Sequence, residues 1–185
     1  MCFLHGMTSS STTLGRALVF AALAVVPPCR LAAQLEGGPA VGDRAPIVRT
    51  TDLDGRTVDL GEWIGKGPVL IEFWATWCGP CQELMPTVDS AHARFGDQVT
   101  FLGINVAMNE TVPGVRGWVA RHQPGFQVLY DSAATAIRAY DIQATSTVII
   151  IGTDGRVAYT GVGAAQDLSR ALARLLSTDI PLRSN

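Results

Sequence analysis

The sequence contains little charge and almost no lysine. Charged residues make up 16% of the 185 residues, the net charge is −2, and Lys66 is the only lysine among 14 basic residues. A nucleic-acid-binding surface needs a clustered excess of basic side chains, so the composition argues against a nucleic-acid partner. With 48% hydrophobic residues, the chain is long enough for one globular domain and too short for two of ordinary size.

The chain also lacks a long hydrophobic run. Its N-terminal apolar segment, Ala17–Val26, is far shorter than the about 20 residues with which a helix spans a bilayer. Arg16 precedes this segment and small residues follow it, as in a secretory signal. We therefore expect residues 1–33 to be a signal peptide, with an uncleaved membrane anchor as the alternative. The protein is predicted to be exported to the bacterial periplasm or the extracytoplasmic face of the membrane.

Cysteine is scarce as well. Cys2 and Cys29 lie in the predicted signal, which leaves one CxxC pair, Cys78 and Cys81, in the stretch FWATWCGPC. A structural zinc site usually needs two such pairs, and a c-type haem would need a histidine where Gln82 follows the second cysteine. A disulfide that closes so short a loop would restrict the unfolded chain little. In an exported domain, the pair is therefore predicted to be redox-active.

Hydrophobic patterning predicts an α/β domain over residues 44–178, with a flexible lead-in over 34–43 and a C-terminal tail over 179–185. Two hairpins with Asp-Gly turns are expected near the two ends of this domain. The predicted elements are a hairpin at 47–60, strands at 68–74 and 99–106, helices at 80–95, 111–122 and 133–140, a second hairpin at 146–163 and a helix at 166–176. This order favours a mixed sheet covered by helices on both faces.

The two cysteines lie between a predicted buried strand and a helix that begins near Pro80. Unpaired backbone N–H groups and the dipole at a helix start stabilise a thiolate at Cys78. Cys81 lies within the first turn, where we expect it to be more shielded. The pattern predicts that Cys78 attacks a substrate disulfide and that Cys81 resolves the mixed disulfide.

FWATWCGPC resembles the active site of the thioredoxin superfamily, and about residues 41–176 resemble its exported TlpA/ResA-like branch. The GDRAP opening, the DLDGRTVDL hairpin, the helix proline Pro86 and the late DGRVAYTGVG hairpin support this resemblance. The resemblance implies a thioredoxin fold, which is a mixed central β-sheet with helices on both faces, here with an N-terminal β-hairpin extension.

The resemblance also implies roles for individual residues. Cys78 and Cys81 match the nucleophilic and resolving cysteines, which form the redox disulfide. Trp77 matches the active-site tryptophan, and Gly79-Pro80 is the dipeptide of thioredoxin itself. Members of this branch reduce protein disulfides, often in cytochrome c maturation. For this chain we expect neither a metal nor a cofactor. The resemblance therefore implies protein dithiol/disulfide substrates and a membrane electron donor.

Glu72 lies six residues before Cys78, where thioredoxins carry a buried aspartate thought to move a proton at the resolving thiol. Because its neighbours in VLIEFW are apolar, we expect Glu72 to be buried and to have a raised pKa. The alternative is that it faces solvent at a sheet margin. Gly103 replaces the thioredoxin lysine near that acid, and Leu84 replaces an additional glutamate of the ResA-like branch. Acid chemistry is therefore predicted to rest on Glu72 alone.

Ser146 departs from the family pattern, because it stands where the family has a cis-proline facing the dithiol. No proline lies between Pro124 and Pro181, so a shifted alignment cannot restore it. A cis bond before serine would cost about 2.5–4 kcal/mol, so we expect a trans bond and a modestly reshaped loop. Three interpretations stay open. The hydroxyl bonds a thiolate, the missing ring leaves room for a metal or cluster, or the replacement is merely tolerated.

Three rival functions remain beside a protein disulfide reductase. A disulfide donor or isomerase would use the same residues in the other direction. A non-enzymatic thioredoxin-like binding module would explain an altered catalytic loop at Ser146, but it would not explain why the CGPC motif is retained. A peroxiredoxin-type peroxidase would need a threonine where Ala75 stands. The sequence favours the reductase.

Overall fold

A computed structural model describes residues 37–179 of the chain. The predicted signal peptide, the start of the lead-in and nearly all of the predicted tail lie outside the described residues. Within the described range, none of the helices combines the length and the apolar character that crossing a membrane requires.

Residues 37–179 contain seven strands and four α-helices. The strands are β1 (Arg49–Asp52), β2 (Thr57–Asp59), β3 (Val69–Trp74), β4 (Thr100–Asn105), β5 (Gln127–Tyr130), β6 (Thr147–Ile151) and β7 (Val157–Val162). The helices are α1 (Gly79–Phe95), α2 (Val112–His122), α3 (Thr135–Ala139) and α4 (Leu168–Asp179). A short 3-10 helix at Leu60–Glu62 follows β2.

All seven described strands belong to one mixed sheet in the order β2-β1-β5-β4-β3-β6-β7. The inner strand β3 runs parallel to β4 and antiparallel to β6. Every residue of β3 is buried, as expected of the unbroken apolar run that forms it. The segment that carries the two cysteines leaves the sheet at the end of this strand.

Apolar clusters cover both faces of the sheet, because successive side chains of a strand point to opposite sides. On one face, Leu70 of β3 packs with Leu84 of α1 and Leu172 of α4. On the other face, Phe73 belongs to a cluster that includes Val115 of α2. The predicted arrangement of a mixed sheet between helical layers is confirmed.

The strand β5 was not predicted from the sequence. It has only four residues, and the first of them, Gln127, is exposed, so it shows neither a long apolar run nor clear alternation. It pairs parallel to β4 and antiparallel to β1. This short strand therefore joins the N-terminal hairpin to the rest of the sheet.

Part of the predicted flexible lead-in is hydrogen-bonded to the domain, which differs from the expectation. The backbone N–H of Gly38 donates to the carbonyl of Asp141 at 2.9 Å, and that of Gly42 donates to the carbonyl of Val157 at 2.8 Å. The second contact lies along the edge strand β7. Only backbone groups make these two contacts, and backbone contacts leave no pattern among the side chains. The glycine-rich composition therefore predicted a flexible linker.

Candidate active site

The cysteine pair lies at the N-terminus of α1, one short turn beyond the end of β3. Cys78 is the N-cap residue, with an extended backbone, and α1 begins at Gly79 with Pro80 in its first turn. Cys78 and Cys81 form a disulfide, with their Cα atoms 5.3 Å apart. The Sγ of Cys78 accepts a hydrogen bond from the backbone N–H of Cys81 at 3.0 Å. After reduction, this donor and the helix dipole would stabilise negative charge on the Cys78 sulfur.

Exposure does not separate the two cysteines in the way that we predicted. Cys78 is 2% exposed and Cys81 is 5% exposed, so the expectation that Cys81 is the more shielded is wrong for the disulfide form. The disulfide joins the two sulfurs, and both residues belong to the apolar cluster that also contains Phe73, so both are shielded. The distinction between the two sulfurs therefore rests on the capping geometry.

Trp77 lies beside the pair and is 49% exposed. Its indole Nε1–H donates to the carbonyl of Met108 at 2.8 Å, which fixes the ring across the neighbouring loop. The side-chain amide of Gln82 donates to the carbonyl of Thr76 at 2.9 Å and closes the turn from the helix side. The sequence indicated Trp77 as an active-site residue, whereas these two partners become visible only in the fold.

Glu110 also holds this turn, and sequence reasoning missed it. Its carboxylate accepts hydrogen bonds from the backbone N–H of Thr76 and, at 3.2 Å, from the Nδ2 of buried Asn105. The Tyr130 hydroxyl donates to the Glu110 carbonyl at 3.1 Å. Glu110 thereby ties the turn before Cys78 to the ends of β4 and β5. A single acid 34 residues from its backbone partner gives no sequence signal of this role.

Glu72 lies in the middle of β3, between Gly103 of β4 and Val148 of β6. It is only 6% exposed, so the alternative of a solvent-facing position is wrong. Burial raises the pKa of its carboxyl to about 8, and the negative charge of Asp89 on α1 adds to this shift. The predicted burial and raised pKa are confirmed.

Ser146 lies immediately before β6 and is completely buried. Its φ is +63°, in the left-handed region that serine rarely adopts. The trans bond and the modestly reshaped loop stay predictions. Its backbone N–H donates to the carbonyl of Phe73 at 2.8 Å. The hydroxyl has no hydrogen-bond partner among the described residues, so in the disulfide form it bonds to neither sulfur. A bond to a thiolate stays a prediction for the reduced form.

Replacing Ser146 with glycine is expected to raise the free energy of unfolding by about 1 kcal/mol, although the site is buried. Glycine adopts a positive φ without strain, and the change removes a buried hydroxyl whose missing bond costs about 1–3 kcal/mol. Ser146→Ala removes the hydroxyl but keeps the strain, so it should be intermediate. Urea unfolding of the three oxidised proteins measures this order. Destabilisation by both changes would mean that the hydroxyl is satisfied.

An apolar groove of about 280 Å³ opens beside the disulfide. Its lining includes Trp77, Val106, Met108, Ile137, Ile142 and Thr145. No charged side chain lines it, and it lies between the cysteine turn and the loop that leads to Ser146. A larger cavity of about 540 Å³ lies against α4, away from the cysteines, so size alone does not identify the site. The groove offers a surface for an apolar segment of a partner protein.

Comparisons with known proteins match this geometry. A model of the Redoxin family matches residues 40–175. The chain is similar to the thiol-disulfide oxidoreductase ResA of Bacillus thuringiensis subsp. konkukian, with 31% identity over 117 residues that cover 63% of this chain and 66% of that protein, just under two thirds of its length. It is also similar to ResA of Geobacillus kaustophilus, with 32% identity over 136 residues, 72% of this chain and 76% of that protein.

A solved structure agrees with these sequence relatives. The thiol:disulfide interchange protein of the thioredoxin family from Chlorobium tepidum superposes with a TM-score of 0.63 at 25% identity. The superposition covers 75% of this chain and 99% of that one. The shared part therefore contains nearly the whole of the solved domain.

Proposed function

The chain belongs to the Redoxin family, and on that premise we propose that it is an exported enzyme that reduces disulfides in protein substrates through Cys78 and Cys81. The observation that carries the proposal is the capped cysteine pair. Cys78 is the N-cap of α1, and its Sγ accepts a hydrogen bond from the Cys81 N–H beside an uncharged groove. Such a site combines a stabilised thiolate with room for a second polypeptide.

Two predictions made from the sequence are confirmed by the comparisons. The fold is a thioredoxin fold, as the family match and the solved relative show. The enzyme class is thiol-disulfide oxidoreductase, which is the class of the curated relatives. The direction of electron flow, the substrate and the location are the parts that belong to the proposal.

The proposed reaction moves two electrons from the dithiol to the substrate. The Cys78 thiolate attacks one sulfur of a substrate disulfide, which forms a mixed disulfide and releases the other substrate sulfur as a thiolate. Cys81 then loses its proton and attacks the Sγ of Cys78, which forms the Cys78–Cys81 disulfide and releases the second substrate thiolate. We propose that the carboxylate of Glu72, the buried acid of β3, accepts the proton that Cys81 loses.

The reducing direction is supported by the residues between the cysteines. Gly79-Pro80 is the dipeptide of thioredoxin, whose potential of about −270 mV lies well below that of the oxidant DsbA at about −120 mV. The curated relatives carry the name ResA. Members of the ResA-like branch resemble one another in being disulfide reductases, which agrees with the reducing direction. A disulfide of an apocytochrome, which the reaction would convert to two thiols, is the substrate that this resemblance favours.

The proposed location follows from the N-terminal segment. We propose that residues 1–33 direct export, that residues 44–178 form the catalytic domain, and that a membrane electron donor reduces the disulfide again. Retention of the segment as an anchor is the alternative for residues 1–33. In either case the domain would work where no soluble NADPH-dependent reductase supplies electrons.

The thiol state in cells tests this function. We expect the full chain, expressed in a Gram-negative host, to carry Cys78 and Cys81 largely as thiols at the extracytoplasmic side. Acid quenching followed by alkylation with a maleimide of high mass counts these thiols, and protease treatment of spheroplasts reports the side. A pair found fully oxidised, as in a disulfide donor, would contradict the reductase. A domain protected from the protease would contradict the location.

A further inference from the structure

We propose that Gln166 is a positioning residue, which, together with Tyr159, clamps the loop of Ser146 opposite the dithiol. The inference rests on the proposed function, because it concerns how that site accepts a protein substrate. Thioredoxin-like proteins hold this loop with a proline ring. Here the loop has no proline, and a set of buried hydrogen bonds takes over the task.

The side chain of Gln166 is buried between α4 and the Ser146 loop, with 8% exposure. Its Nε2 donates to the carbonyl of Ser146 at 3.1 Å and to the carbonyl of Gly163 at 2.6 Å. Its Oε1 accepts a hydrogen bond from the Tyr159 hydroxyl at 3.2 Å. Both ends of the amide are therefore used, and the amide orientation is fixed by a donor on one side and acceptors on the other.

The Ser146 loop depends on such contacts, because its own side chain contributes none. The hydroxyl of Ser146 has no partner among residues 37–179, and its backbone lies in a left-handed conformation. A left-handed residue other than glycine persists only where its surroundings hold it. The backbone of Ser146 is held by Phe73 on one side, and by the N–H of Gly163 at 3.1 Å and Gln166 on the other.

Gly161 gives independent support, because the Tyr159–Gln166 hydrogen bond occupies the space that a side chain at position 161 would need. A Cβ at Gly161 would lie 2.2 Å from the Tyr159 hydroxyl and 2.7 Å from the Gln166 Oε1. At such distances a side chain at position 161 would force the Tyr159 hydroxyl and the Gln166 amide to move. The Tyr159–Gln166 bond therefore lies directly over a residue that has no side chain, on the strand that pairs with β6.

The clamp is expected to govern docking more than thiol chemistry. Thr145, next to Ser146, lines the groove beside the disulfide, so a displaced loop changes the surface that a substrate meets. Cys78 owes its stabilisation to the start of α1, which the clamp does not touch. A loosened clamp should therefore raise KM for a protein substrate and leave the reactivity of Cys78 with a small reagent unchanged.

The test compares Gln166→Leu with Gln98→Leu, a matched change at an exposed glutamine in the turn that follows α1. Gly161→Ala is the second variant, because it displaces the clamp while Gln166 stays intact. Amide hydrogen exchange at Ser146 and Gly163 reports the loop without any assay of activity. Insulin reduction with dithiothreitol as electron source gives KM and kcat, and iodoacetamide gives the reactivity of Cys78.

In Gln166→Leu and Gly161→Ala we expect exchange at both amides to accelerate about tenfold or more, and KM for insulin to rise about fivefold. The kcat and the alkylation rate should stay within about twofold of the wild type, and Gln98→Leu should change nothing. Unchanged exchange or unchanged KM in folded variants would overturn the clamp. A wild type that fails to reduce insulin would contradict the proposed function instead, and the exchange rates would still decide whether the clamp exists.

Discussion

Replacing Cys81 with serine is expected to trap the protein as a mixed disulfide with its substrate and to reduce turnover on the order of 10³-fold. The capped sulfur of Cys78 can still attack, because the N–H that it accepts belongs to the backbone of residue 81 and survives the change. Only the second attack, which closes the 78–81 disulfide, is lost. Non-reducing gels and mass spectrometry of the adduct measure the trapped fraction.

The matched change, Cys78→Ser, should give equal loss of turnover and no adduct. The remaining thiol of Cys81 lies inside the first turn, without the N-cap position that stabilises a thiolate. The pair of variants thus separates the two roles, although both cysteines are almost equally buried in the disulfide form. An adduct formed by Cys78→Ser and not by Cys81→Ser would reverse the roles.

Replacing Glu72 with glutamine is expected to remove a pH dependence of stability. Burial raises the pKa of Glu72 to about 8 in the folded protein, whereas the unfolded chain has the ordinary value of 4.5. Between these values the folded state holds a proton that the unfolded state has lost, so the free energy of unfolding falls as the pH rises. The stabilisation is complete below pH 4.5 and is lost as the pH passes 8.

The shift in pKa corresponds to roughly 5 kcal/mol between the two ends of this range. Glu72→Gln should match the wild type near pH 4 and exceed its stability by a few kcal/mol near pH 9. Urea unfolding of the oxidised protein across this range measures both curves. Glu83→Gln, at an exposed position of α1, is the control and should keep the wild-type slope. Parallel curves for Glu72→Gln and the wild type would mean that Glu72 titrates normally.

The same variant tests the proposed proton transfer. A carboxylate that accepts the Cys81 proton must be ionised, so the rate of resolution in the wild type should rise through about pH 8. In Glu72→Gln this rise should disappear, and resolution should slow about tenfold or more while attack by Cys78 keeps its rate. Single-turnover quenching separates the two steps. Equal resolution rates in both proteins would remove Glu72 from the mechanism.

The fold could be predicted wherever the sequence carries a long or repeated pattern. The apolar run of β3, the helical spacing in α1 and the two Asp-Gly hairpins each specify one element by themselves. The strand β5 has only four residues, and its strand pairing comes from neighbours that are remote in sequence. The bonded part of the lead-in depends likewise on backbone groups, which no side-chain pattern records.

The site divides in the same way. Cys78, Cys81 and Trp77 lie within one short motif, and Glu72 is a single acid in an apolar run. The sequence immediately around these residues is therefore enough to identify them. The other polar groups come from distant elements. Glu110 reaches the turn before Cys78, and Gln166 reaches the Ser146 loop, only after the sheet has assembled. The left-handed backbone of Ser146 follows from that assembly and not from its own identity.

The reduction potential of the Cys78–Cys81 couple tests the central claim most directly. Equilibration of the exported domain in glutathione and dithiothreitol buffers, with the thiols trapped and counted, gives this potential. We predict a value below about −230 mV, on the reducing side of the glutaredoxins. A value above about −180 mV, in the range of protein disulfide isomerase and DsbA, would contradict it and make the protein a disulfide donor or isomerase.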